Sequence, residues 1–186
     1  MQVLPCTTRA QFRAWLVAHA DDEAECWLLV KRGRPTDPDT FYYLDAVEEA
    51  LCFGWIDSTY RRVDGVCYQR FSPRAGNSLW TELNKERVRR LDKLGLMTDR
   101  GRRVLPDMAA EFCIDPDVRQ ALEEAGVYDA FLAFPLLYRR VRAYNVAFYK
   151  HRDAAAYRKA LRHLIDATAA GKTYGEWNDY GRLSDY

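Results

Sequence analysis

The pair Asp64-Gly65, set between Val63 and Val66, constrains this chain more tightly than any other short stretch. Asp-Gly suits a two-residue type I′ hairpin turn, whose central positions both need positive φ. Such a turn also fixes the register of the flanking strands, and register decides which side chains share a face. With Val63 opposite Val66, the spacing predicts a hairpin over residues 55–72. One face then carries Ile56, Ser58, Tyr60, Arg62, Cys67, Gln69 and Phe71; the other carries Asp57, Thr59, Arg61, Tyr68, Arg70 and Ser72. The first holds more apolar bulk and is expected to meet the core. The second gathers a carboxylate, two guanidinium groups and a phenol, an odd collection for a face that only meets solvent.

Helical signals surround the hairpin. Thr8 with Gln11 forms a capping box ahead of Phe12, Trp15 and Leu16. The apolar run Cys26–Val30 reads as a buried strand, and the Pro- and Asp-rich stretch 33–40 as a loop. Leu44, Val47 and Leu51 recur at helical spacing up to a stop near Gly54. Beyond Pro73 the pattern is helical. Ser78 is the expected cap of a helix bearing Trp80, Leu83, Val88, Leu91 and Leu94, closed by Gly95, and Thr98 caps a shorter one. Asp115-Pro116 opens a helix that ends at Gly126. Two long helices are expected at about 136–150 and 154–170. The aromatic tail with Tyr174, Trp177, Tyr180 and Tyr186 is expected to fold back on the body, as a lid over the motif-bearing face. The expected fold is α+β: a small antiparallel N-terminal sheet packed with helices, then a helical C-terminal region. Residues 1–134 form the motif-bearing region, and 135–186 a helical pair and tail that join it in one compact unit.

Composition narrows the function classes. With 186 residues, 48% hydrophobic and 30% charged, and a net charge of +1, the chain has enough apolar content for a core. It contains no apolar run long enough to span a membrane, so no membrane insertion is expected. Its first residues lack a signal-peptide pattern, and a cytoplasmic protein is expected. Cys6, Cys26, Cys52, Cys67 and Cys113 are irregularly spaced and distant from His19, His151 and His163, which argues against a metal centre. Gly-rich phosphate loops, G-x-S-x-G and H-E-x-x-H are missing, and no cofactor is expected. Charge is blocky: residues 61–103 and 138–172 each sum to +7, whereas 35–60 and 104–137 each sum to −6. Such blocks mark anion-binding surfaces or neutralise one another in the fold.

The densest unusual chemistry runs from Leu51-Cys52-Phe53-Gly54-Trp55-Ile56-Asp57 through Arg70-Phe71 and Pro73-Arg74 to Ser78, Trp80 and Asn84. With Arg87, Leu91, Gly95, Met97, Gly101, Phe134-Pro135, Tyr138-Arg139-Arg140, Gly171-Lys172 and the ending Tyr174–Asp179 with Gly181–Leu183, these blocks resemble the YdeI/OmpD-associated family of bacteriocin-protection proteins. The last long helix departs from many relatives in reading Tyr157-Arg158 with Arg162. The resemblance implies a link to protection against antibacterial peptides or to stress, and implies no particular reaction.

The residues themselves suggest a cleft. Arg61, Arg70 and Arg74 repel one another unless a carboxylate or a ligand anion lies among them, and Asp57 is the nearest carboxylate on the same expected face. A guanidinium fork suits a carboxylate or phosphate, while Trp55 and Trp80 can wall a planar group. Tyr68 and Asn84 supply further donors and acceptors. These eight residues, Trp55, Asp57, Arg61, Tyr68, Arg70, Arg74, Trp80 and Asn84, are the candidate site for an anionic or planar small molecule or an anionic peptide. They could equally be ion pairs and core aromatics that brace the hairpin. An enzyme using Asp57 or Cys52 in that cleft is a second reading, although arginines around Asp57 make it a weak base. A third is nucleic-acid binding through Arg139, Arg140, Arg142, Lys150, Arg152, Arg158, Lys159 and Arg162.

Overall fold

Strands come first and helices follow in the computed structural model, which describes residues 2–76, 78–184 and 186. The fold is α+β. Contacts divide the chain into two compact units: the chain to Leu79 with Arg87–Met108, and Trp80–Glu86 with Ala109–Tyr186.

The first unit holds a four-stranded sheet of β1 (Val3–Leu4), β2 (Cys26–Leu29), β3 (Trp55–Val63) and β4 (Val66–Pro73), in the order β1-β2-β4-β3. Its β2–β4 and β3–β4 pairs are antiparallel as expected, but β1 runs parallel to β2. Two residues carry no readable periodicity, which hid β1. The turn is as predicted, with Asp64 at φ 50° and Gly65 at φ 80°, and pairing follows the expected register from Val63–Val66 to Tyr60–Gln69. There the register slips. A β-bulge places Asp57 opposite Phe71 and sets Ser58 and Thr59 together against Arg70. Gln69, 1% exposed, donates its amide at 3.3 Å to the carbonyls of both Ser58 and Thr59, which the irregular ladder would leave short of donors.

Helix α1 (Arg9–His19) begins in the expected Thr8–Gln11 capping box and buries Phe12 and Leu16. Phe12 meets Phe71 with centroids 5.5 Å apart, which seats α1 on the core face of the sheet. Helix α2 (Tyr43–Cys52) is buried almost throughout, its carboxylates included; Gly54 beyond it takes φ 72°. Helix α3 (Glu82–Lys93) starts later than expected: Thr81 Oγ1 accepts the Asn84 N–H at 3.1 Å, while the Ser78 N–H donates to the Ala75 carbonyl. The cap is offset by three residues, from Ser78 to Thr81, since Ser78 is held in a turn. Helix α4 (Asp99–Arg103), capped by Thr98, follows.

In the second unit α5 (Pro116–Glu124), α6 (Tyr128–Leu132), α7 (Leu136–Ala147) and α8 (Ala154–Ala169) share one core of Val118, Leu122, Phe131, Tyr138, Ala143, Val146 and Leu164. Because α5 and α6 pack on that core, the segment from Ala109 groups with the C-terminal helices, upstream of the expected break at 134/135. Asp115 caps α5 through the Asp117 and Val118 N–H groups. The tail folds back on α7: Trp177 sets its ring edge-on to Tyr138 at 5.6 Å, and Leu183 packs with Leu137 and Val141.

Candidate functional site

The bulge separates residues that a regular hairpin would have kept together. Asp57 crosses to the Phe71 face, where it accepts the Tyr43 hydroxyl proton at 2.6 Å. The expected pairing of Asp57 with Arg61 and Arg70 is thereby corrected: one inserted residue inverts the facing of everything beyond it. Arg70 binds Glu25 instead, Nε to Oε2 at 2.6 Å, and reaches Ser58 Oγ at 3.0 Å. Glu25 also accepts the Trp27 indole N–H at 2.9 Å, and these two donors hold its carboxyl below the usual range. Arg61 stacks over Trp27, 5.6 Å from its ring.

The remaining candidates are dispersed. Trp55 is fully buried, meets Trp15 edge-on at 5.7 Å and donates its indole N–H to the Ala20 carbonyl, so it serves the core instead of walling a cleft. Tyr68 is half-buried opposite Arg61 and Leu29. Arg74, 8% exposed, donates to the Leu79 carbonyl at 2.8 Å. Trp80 and Asn84 belong to the second unit; Asn84 is buried and Trp80 half-buried.

Neither nucleophile nor base emerges from the motif block. Cys52 is fully buried, and burial chiefly pushes its thiol up to about 12, so the thiolate is scarce at neutral pH. Asp57 is engaged by Tyr43, whose own hydroxyl is pushed up by burial and then by the adjacent carboxylate. Arg32 stacks on Tyr43 at 4.2 Å and donates to Gln69 Oε1, completing a network that braces the bulge. Among the described residues no group of three or more His, Cys, Asp or Glu is placed to hold a metal ion. Nor is any described helix long and apolar enough to cross a membrane.

An open cleft of about 470 Å³ lies elsewhere, in the second unit. Its lining comes from α7 and the turn after it (Arg142, Tyr144, Asn145, Val146, Phe148, Tyr149), from α8 (Ala160, His163), and from Thr81 and Tyr174. Helical spacing puts Arg142, Asn145 and Tyr149 on one side of α7 and its extension. The Tyr174 ring contacts His163 edge-on, centroids 4.1 Å apart. The Arg142 guanidinium lies 4.7 Å from the Tyr174 ring and 5.9 Å from that of Tyr138. Gly175, at φ 65°, lets the backbone pass beneath it: a Cβ there would sit 2.6 Å from Arg142 Nη2.

Arg142 is half-buried, and among the described residues no carboxylate forms an ion pair with it. Desolvation lowers its pKa, offset in part by Tyr174, Tyr138 and Glu176, and it remains a cation at neutral pH. Sequence reasoning placed Arg142 only in a general basic stripe. The usable signal was the interleaving of Tyr144, Asn145, Phe148 and Tyr149 with that stripe, together with an aromatic tail able to cover it.

An α+β protein whose helical unit bears an aromatic, arginine-containing cleft of small-ligand size is the class that fold and site define. Residues 4–104, just over half of the chain, match the family described as Domain of unknown function (DUF8412), and the chain belongs to that family. No curated protein and no solved structure matches the chain.

Proposed function

We propose that the protein binds a planar small molecule carrying an anionic group, with the ring against Tyr174 and Phe148 and the anion on Arg142. The observation that carries this reading is a half-buried guanidinium that lines an aromatic-walled cleft and, among the described residues, makes no ion-pair contact, the nearest influence of a carboxylate being the through-space one of Glu176. Its planar fork suits a carboxylate or phosphate, and such charge-assisted bonds strengthen where water is partly excluded. The arginine- and aromatic-lined anion site expected on the hairpin is proposed for the helical unit. Kinship with the YdeI/OmpD-associated proteins is a further proposal, carried by the three-block motif; a YdeI/OmpD-associated structure with a different sheet order would reject it.

Calorimetry and thermal melts against a panel of aromatic carboxylates and phosphates test the binding reading. A true ligand at a hundred times its Kd stabilises the protein by about 2.7 kcal/mol. Arg142→Gln should weaken that ligand by roughly 10- to 100-fold, as for loss of about 1.5–3 kcal/mol of charged hydrogen bonding, and Arg142→Lys should recover part of it. A panel without a binder, or a ligand indifferent to Arg142→Gln, overturns the assignment.

A further inference from the structure

A second recess of about 420 Å³ lies along α8, lined by Arg158, Lys159, Arg162, His163 and Asp166. His163 lines both recesses. Arg158 and Arg162 are about one helical turn apart on the same face of α8, about 6 Å along its axis. Like charges at this spacing destabilise a helix unless something neutralises them. Among the described residues, neither arginine nor Lys159 makes an ion pair, and all three side chains are exposed. Asp166, the one carboxylate lining the recess, is not hydrogen-bonded to any of them. The aromatic cleft thus shares His163 with a recess that presents three cations against one carboxylate.

We propose that the ligand is a nucleotide with at least two phosphates, its base in the aromatic cleft and its phosphates running past His163 onto Arg158 and Arg162. This rests on the cleft reading above and names its ligand class. The chemistry matches at each point. A base offers a π-face to Tyr174 and Phe148, and its edge carries donors and acceptors that the Asn145 amide can meet. The inner phosphate falls to Arg142, and the outer one relieves the repulsion along α8. Exposed cations contribute less than a desolvated one, so the α8 row sets preference for phosphate number and Arg142 sets binding itself.

Calorimetry in EDTA with a nucleoside, its monophosphate and its diphosphate, in the adenine and guanine series, tests this, with inorganic pyrophosphate as the ring-free probe. The diphosphate should bind roughly three- to tenfold more tightly than the monophosphate at low salt, a gap that narrows as salt screens the exposed row. The double variant Arg158→Ala/Arg162→Ala should lose that gap and keep the monophosphate affinity; both sites are exposed, and an unchanged apo melting curve verifies folding. Equal affinity for mono- and diphosphate, or a gap that survives in the double variant, overturns the nucleotide assignment and leaves the cleft reading standing. Pyrophosphate binding as tightly as the diphosphate overturns the role of the base. Binding of no nucleotide overturns the assignment too, and binding of aromatic carboxylates in the same cell then shows that the cleft itself is sound.

Discussion

Single atoms decide several of these placements. Gly101, in the short helix α4, approaches the end of α2 so closely that a Cβ would lie 2.2 Å from the Cys52 carbonyl oxygen. That carbonyl also accepts the Thr98 hydroxyl at 2.6 Å, and the Arg100 guanidinium donates to Phe53 at 3.0 Å, so α4 supplies donors that the last turn of α2 lacks. Gly101→Ala should push these elements apart and cost about 1–3 kcal/mol, as overpacking does. Urea denaturation measures it, and an unchanged midpoint would show that α4 shifts freely. Gly175 is the corresponding residue beneath Arg142, and the backbone there is shaped around the guanidinium.

At the level of elements, the bulge in β3 does more than any other irregularity to arrange polar groups. Gln69 holds it from the partner strand, donating to the Ser58 and Thr59 carbonyls and accepting from Arg32. Gln69→Leu keeps the volume and removes the polar contacts, leaving a guanidinium and two carbonyls to find water; the expected loss is about 2–3 kcal/mol in denaturant. No loss would mean that the bulge is held by the strands alone. Most helix boundaries were readable because caps are local: Thr8, Thr98 and Asp115-Pro116 start α1, α4 and α5, and Gly54, Gly95 and Gly126 follow the ends of α2, α3 and α5 with positive φ. The bulge was not readable, since Ser58-Thr59 contains no glycine or proline to announce it. That slip took Asp57 away from Arg61 and Arg70, a grouping that needed continuous alternation from the turn to Asp57. Trp55 went to the core, and Trp80 and Asn84 to the second unit, by their own packing. The cleft of the second unit was illegible for another reason: α7, α8 and Tyr174 meet only through long-range packing.

Across the whole molecule, charge is balanced largely by burial within each unit. The acidic block of α2 is answered in the first unit: Glu48, fully buried, takes Arg9 at 2.7 Å and Arg90 at 2.9 Å, and Glu49 takes Arg9 at 2.5 Å and Arg13 at 2.7 Å. In the second unit Lys150 answers Asp115 and Asp117 at 3.0 and 2.8 Å. Both pairings join segments far apart in sequence, so the charge blocks read from the chain neutralise one another in part. Glu48→Gln removes the buried charge that faces Arg90 and leaves Arg9 with Glu49 alone at close range, and should cost about 3–5 kcal/mol, read from the denaturant midpoint. A cost below about 1 kcal/mol would mean that water reaches the network. The seating of Cys52 beneath α4 has a consequence of a different kind. Peroxide attacks thiolates, and with Cys26 and Cys52 both buried and their thiols held up at about 12, the interior presents almost none. Oxidative damage would begin at the exposed Cys113 and leave the packed interior chemically untouched.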